Sequence, residues 1–190
     1  MGAAQRNPSI PAAHRMTAYR RSRQPGGTYF FTLALAERRG DLLVRHIAAL
    51  REALRAERLR APFTTLATVV LPDHLHAVWR LPSGDTDYSN RWRRIKAAFS
   101  RALPDGERIS ESRAGKGERG IWQRRFWEHT IRDPVDLQRH IDYVHINPVK
   151  HGVVQDVAAW PHSTFHEYVA RGVYPPDWAG NSDAPRNVGE

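Results

Sequence analysis

The sequence predicts an α+β domain in which an antiparallel β-sheet is flanked by helices and one further helix follows toward the C-terminus. Three observations carry this. Several segments are rich in β-branched and aromatic residues, as strands are. Others place apolar residues every three or four positions, as amphipathic helices do. The two kinds follow one another as strand, helix, strand, strand, helix, strand, then a helix, and that split order is the ferredoxin-like arrangement.

The first strand spans Thr28 to Ala36, after the Gly26-Gly27 punctuation. After Gly40, Leu43, Ile47, Leu50 and Leu54 step by four, three and four and define a helix with Arg51, Arg55 and Arg58 turned elsewhere. Ala61 to Leu71 is a Thr/Val-rich strand. Pro72-Asp73 turns it into a second one, 74-HLHAVWRL-81, so the two form a hairpin. Trp92, Ile95, Phe99 and Leu103 mark another helix, and Ile121 to Ile131 reads as a strand or pair of strands. Asp133-Pro134 is an N-cap followed by Pro at the first helical position. The helix it opens should run to about Asn147, where Pro148 discourages further turns.

Length and composition narrow the function. A chain of 190 residues suits one domain with a real core. Lys and Arg number 29 against 20 Asp and Glu, a net charge of +9, while 41% of residues are hydrophobic, too many for a disordered chain. A folded, strongly basic domain suggests a polyanionic partner. No apolar run approaches the roughly 20 residues of a membrane span, and no signal peptide opens the chain, so a cytoplasmic protein with no membrane partner is expected. The absence of Cys excludes disulfides, thiolate metal sites and cysteine nucleophiles. Residues 1–15 and 179–190 are expected to be flexible tails around a domain at 16–178, with a long, glycine-containing surface loop at 105–120.

Three features could carry chemistry. On a strand, His74 and His76 project from one face while Leu75 points to the other. Such a pair suits two metal ligands, or two polar residues on a solvated sheet face. On the last long helix, Leu137, Ile141 and Val144 define a buried stripe. Tyr143 lies ~130° and Asn147 ~90° from it, so Tyr143 is not expected on the packing face. Phenol and amide stand one turn apart, as a functional pair or as a tyrosine under a loop and an Asn closing the helix. Finally, 91-RWRRIKAAFSR-101 and 122-WQRRFWEH-129 interleave positive charge with aromatics. Arg91, Arg93, Arg94 and Lys96 fall off the Trp92/Ile95/Phe99 stripe and should face solvent. With Arg124, Arg125 and Lys150 they are candidate DNA-binding residues, against the alternative of an ordinary solvated face. Trp122, Phe126 and Trp127 could stack bases or belong to the core.

Together these residues resemble a known family. The stretch 72-PDHLHAVWRLP-82 is similar to the HUH motif of single-tyrosine transposases. With 121-IWQRRFWEHTIRD-133 and 140-HIDYVHINPVKHGVV-154 it resembles the REP-associated tyrosine transposases, which act on repetitive extragenic palindromes. Further matches at 27-GTYFFT-32, 160-WPHSTFHEY-168 and 174-YPPDWAG-180 extend the resemblance from about Tyr19 to Gly180. It implies that the additional helix carries the catalytic tyrosine, Tyr143, and that His74, His76 and Asn147 bind Mg²⁺ or Mn²⁺. Relatives outside this branch carry Gln where Asn147 stands. It implies a single-strand DNA endonuclease and strand transferase acting on hairpin-forming palindromes through a 5′-phosphotyrosine bond at the bacterial nucleoid. It is expected to work as a monomer, the other arrangement being a dimer that shares active sites, as in some relatives. The alternative is a hairpin-binding protein that does not cleave; an RNA-binding domain ranks last for want of an RNP-type aromatic strand. Asp73 and Glu128 are possible accessory groups at the metal.

Overall fold

The computed structural model describes residues 21–105, 115 and 119–180. The expected tail at 1–15, residues 181–190 of the tail at 179–190, and residues 106–114 and 116–118 of the 105–120 loop lie outside the described residues. In chain order the elements are β1 (Thr28–Ala34), α1 (Leu42–Arg45), α2 (Ile47–Arg60), β2 (Thr64–Val70), β3 (His74–Arg80), α3 (Tyr88–Ala102), β4 (Trp127–Thr130), α4 (Pro134–Lys150) and α5 (Phe165–Ala170), with a 3₁₀ turn at Val157–Ala159 before α5. No helix among the described residues is long and apolar enough to cross a membrane.

The strands form one antiparallel sheet in the order β2-β3-β1-β4, the ferredoxin-like order. Strand alternation sends the two faces into two separate cores. Tyr29, Phe31, Leu33, Leu75, Ala77 and Trp79 meet α2 and α3 on one side. There Trp79 stacks on Trp92 with ring centroids 3.9 Å apart. Phe30, Ala67, Val69 and Val78 meet α4 and the segment after it on the other. This second layer is what distinguishes the domain from a two-layer sheet with helices on one face.

Several elements differ from the sequence expectation. The first helix is two, because His46 leaves helical geometry at φ −111 and ψ 33. The next begins earlier, at Tyr88, since Asp87 accepts a hydrogen bond from the Asn90 amide as an N-cap. The strand expected over Ile121 to Ile131 contracts to Trp127–Thr130, with Trp122 touching Leu35 in an isolated bridge. Pro148 does not stop α4, which runs to Lys150. A proline so near the end removes only one intrahelical bond. The helix then closes in a Schellman motif, with Gly152 at φ 65, its amide bonded to Val149 O and the Val153 amide to Pro148 O, both at 2.9 Å.

Candidate active site

Two histidines, a tyrosine and a lysine from β3 and α4 converge on the α4 side of the sheet. In the β1–β3 register Thr32 faces His76 and Ala34 faces His74, and the His76 ring stacks 5.3 Å from that of Phe30. The His74 and His76 rings lie 5.0 Å apart at 82°, and the Tyr143 ring is 5.3 Å from that of His76 and 5.8 Å from Phe30.

Each histidine is oriented through Nδ1. His74 Nδ1 is 2.6 Å from Asp73 Oδ1, and Asp73 Oδ2 accepts from Arg38 Nε at 2.6 Å. His76 Nδ1 is 2.9 Å from Thr32 Oγ1. The rings are thereby fixed so that Nε2 is the atom each offers across the site, an arrangement metal-ligating histidines share. Burial holds the His74 imidazole below its ordinary pKa despite the Asp73 carboxylate, so the ring stays neutral and its nitrogen lone pair available. Burial would raise the Asp73 carboxyl, but hydrogen bonds with Arg38 and His74 outweigh it and keep it below the usual range.

The donor set fits a divalent cation. His74 Nε2 is sequestered from solvent with no hydrogen-bond partner, a costly position for a lone pair unless something binds there. His76 Nε2 and Asn147 Oδ1 are also fully buried. Two neighbouring imidazoles suit Mn²⁺ and leave room for oxygen ligands on either Mg²⁺ or Mn²⁺.

Tyr143 is buried, contrary to its expected place away from the packing face, at 1% exposure. α4 has two buried faces rather than one, and Tyr143 is on the sheet-facing one, against Phe30 and His76. The sheet covers one side, while the residues after α4 cover the other, where His145 contacts Phe165, Tyr168, Tyr174 and Trp178. Gly180 seals this cover: at φ +97, an added Cβ would sit 2.8 Å from Ile146 Cδ1. The aromatic density of 160-WPHSTFHEY-168 and 174-YPPDWAG-180 was the sequence signal for a second covered face.

Two residues at this site were not singled out for it from sequence. Lys150 Nζ donates to the Tyr143 hydroxyl at 3.2 Å. His151 brings its ring to 4.9 Å from that of His74. Glu128, considered as an accessory group, is elsewhere: it pairs with Arg21 at 2.7 Å and accepts from the Tyr88 hydroxyl on the α3 side of the sheet.

A neighbouring cluster braces α4. His129, Asp136 and His140 bring their ligating atoms within 4.8 Å of one another. His129 Nε2 is 2.8 Å from Asp136 Oδ2, which also accepts from the Arg132 amide and side chain. The His129 and His140 rings stack at 4.5 Å. With Arg132 already neutralising the carboxylate, the cluster acts as a clasp between β4 and the first turn of α4.

The basic candidates divide. Arg93, Arg124 and Arg125 are exposed and Lys96 is half-buried. Arg91 is not solvent-facing but 3% exposed. Its guanidinium donates to the carbonyls of Ala61, Pro62 and Asp87 and pairs with Asp85, stapling the α2–β2 connection to α3. Arg94 is committed to Glu57 through both Nε and a terminal nitrogen. Trp122 is a core residue, and Phe126 packs against the same core.

No protein-family model matches the chain. It is 49% identical over 166 residues to a REP-associated tyrosine transposase of Escherichia coli K12, covering 87% of this chain and 93% of that one. It is 45% identical over 169 residues to a protein given the same family name in Haemophilus influenzae, covering 88% and 96%. Among solved structures it is similar to a REP-associated tyrosine transposase bound to a REP hairpin, with a TM-score of 0.76 and 46% identity over 91% of this chain and 99% of that one.

Proposed function

Because the chain belongs to the REP-associated tyrosine transposases, we propose that it is a metal-dependent single-strand DNA endonuclease and strand transferase that acts on REP-type palindromic hairpins with Tyr143 as nucleophile. The observation that carries this reading is the approach of Tyr143 to His76, at 5.3 Å between rings, from elements far apart in sequence. In this reading the enzyme acts as a monomer at the nucleoid.

In this reading the Tyr143 hydroxyl gives its proton to solvent and its oxygen attacks the scissile phosphorus. The bond to the 3′ oxygen breaks, that oxygen takes a proton, and the products are a 5′-phosphotyrosine and a free 3′-hydroxyl. A phenol is a weak nucleophile near neutrality, its ordinary pKa being about 10. Lys150 places a cation beside the oxygen as negative charge gathers there. A cation such as Mg²⁺ or Mn²⁺, held by His74, His76 and Asn147, would polarise the scissile phosphate and neutralise charge on it. Packing of the Tyr143 ring against Phe30 and His76 holds the hydroxyl in place. The phosphotyrosine conserves the phosphodiester bond energy, so attack by a 3′-hydroxyl joins strands with no nucleotide cofactor. Arg93, Lys96, Arg124 and Arg125 remain as candidate DNA contacts.

The test is a covalent-adduct assay on labelled palindromic hairpins with Mg²⁺, Mn²⁺ or chelator. A metal-dependent protein–DNA band that Tyr143→Phe abolishes, with hairpin binding kept, supports the reading. Binding by the wild type with no adduct under any metal would turn it into a non-cleaving hairpin-binding protein.

A further inference from the structure

A groove of about 700 Å³ lies between α3 and residues 119–126, on the face of the sheet opposite Tyr143. Its rim carries Arg21, Arg93, Lys96, Arg101, Arg119 and Arg124, and no Asp or Glu is among its described lining residues. We propose that this groove is a docking site for a short stretch of unpaired DNA, distinct from the site of chemistry; the inference rests on the DNA-directed function proposed above and adds a second place of contact to it.

The groove is built by sequence pattern. Along α3, Arg93, Lys96, Ala97, Ser100 and Arg101 recur at i, i+3, i+4, i+7 and i+8, one face of a helix. Small residues in the middle of that face open the space, and cations at its ends remain at the rim. The opposite wall is pinned to α3: Lys96 donates to Gln123 O at 2.6 Å, and Arg119 donates to Leu103 O at 2.8 Å. Because both walls are tied together, the opening is part of the fold.

Charge chooses the occupant. Arg21 is paired with Glu128 and Arg119 with Asp105, whereas Arg93 and Arg101 have no carboxylate partner among the described residues. The surplus calls for an anion, and the volume suits something of nucleotide size. The interior adds an aromatic preference. The Arg21 guanidinium lies 3.8 Å over the Phe126 ring, and the Lys96 ammonium 5.8 Å from that of Trp122. Aromatic and guanidinium planes take bases by stacking, which requires a base whose face is free, so the ligand is unpaired. Rim cations would hold the phosphates. Phe126 and Trp127 are adjacent but join opposite cores at β4, an edge strand. A strand leaving the tyrosine site round that edge would meet the groove.

The experiment uses the full chain and a bare single-stranded oligodeoxynucleotide carrying iododeoxyuridine. Photocrosslinks should map to residues 119–126. Arg93→Ala/Arg101→Ala, with thermal melting checked against wild type, should bind about tenfold more weakly. The slope of log affinity against log salt should flatten by about 1.4, or 0.7 per lost phosphate contact on a single strand. Absence of wild-type binding, crosslinks confined elsewhere, or equal affinity and slope in the variant would overturn the proposal. The Tyr143-dependent adduct on a hairpin is scored separately. An adduct without groove crosslinks sinks the groove alone, and groove crosslinks without an adduct sink the cleavage reading alone.

Discussion

Lys150 Nζ sits 3.2 Å from the hydroxyl of Tyr143, two helical turns earlier on α4, and 4.6 Å from the centre of its ring. The contact exists because α4 continues through Pro148; a helix ending at Asn147 would release the lysine from that face. On the proposed reading the lysine serves the chemistry as well as DNA attraction. Replacing it with Met should slow adduct formation about 10- to 100-fold, the worth of one charge-assisted hydrogen bond of about 1.5–3 kcal/mol. Single-turnover rates at saturating hairpin would read this, and an unchanged rate would remove Lys150 from the mechanism.

Asp73 fixes the His74 ring and is itself held by Arg38. Asp73→Asn keeps the shape but loses the charge. The metal concentration for half-maximal cleavage should rise about 10- to 100-fold, as for other partners of ligating histidines. Titration with Mn²⁺ should restore the maximal rate. If excess metal leaves the rate low, the defect lies outside metal binding.

Arg91 and Arg93 are two residues apart on α3, yet their substitutions should behave oppositely. Arg91→Met strands the carbonyls of Ala61, Pro62 and Asp87 and the Asp85 carboxylate, and should cost about 2–4 kcal/mol in chemical denaturation. Arg93→Ala should leave stability within about 0.5 kcal/mol. Equal stability of the two variants would contradict the staple.

Asp136 gives the fold an acid limit. Burial would raise its carboxyl, but His129 and the Arg132 amide and side chain bring it down to about 2. The folded value is below the ordinary 3.8, so the stabilisation is complete above about pH 4 and is lost as pH falls through 2. It amounts to about 2 kcal/mol. The stability deficit of Asp136→Asn, from urea curves at successive pH values, should therefore be full at pH 5 and shrink toward pH 2. His129 and His140 face the same carboxylate, and their substitution should narrow the same window. A deficit constant over that range would assign the loss to packing.

The sheet and its strand order were legible because alternation and the Pro72-Asp73 turn are local signals. The His74/His76 pair was legible for the same reason: period two alone puts both rings on one face. Tyr143 as a buried residue was not. Its ring packs on the sheet against Phe30 and His76, and helical periodicity carries no information about how many faces a helix will bury. Arg91 failed similarly, since three backbone carbonyls and Asp85 that capture it come from the turns around residues 61–62 and 85–87. The place of Lys150 beside Tyr143 and of His151 beside His74 was hidden by the general expectation that proline ends a helix.

The cover over α4 has a consequence for how the protein comes into being. Synthesis proceeds from the N-terminus, so β1 to β4 and the tyrosine helix leave the ribosome before residues 157–180 do. Until those residues follow, His145 and Ile146 lack the aromatic layer and the Gly180 contact that enclose them. A nascent chain therefore carries α4 with one face packed on the sheet and the other still bare until the last stretch of folded sequence arrives. In this way the helix that lines the candidate site is clad on both faces only when the domain around it is nearly whole.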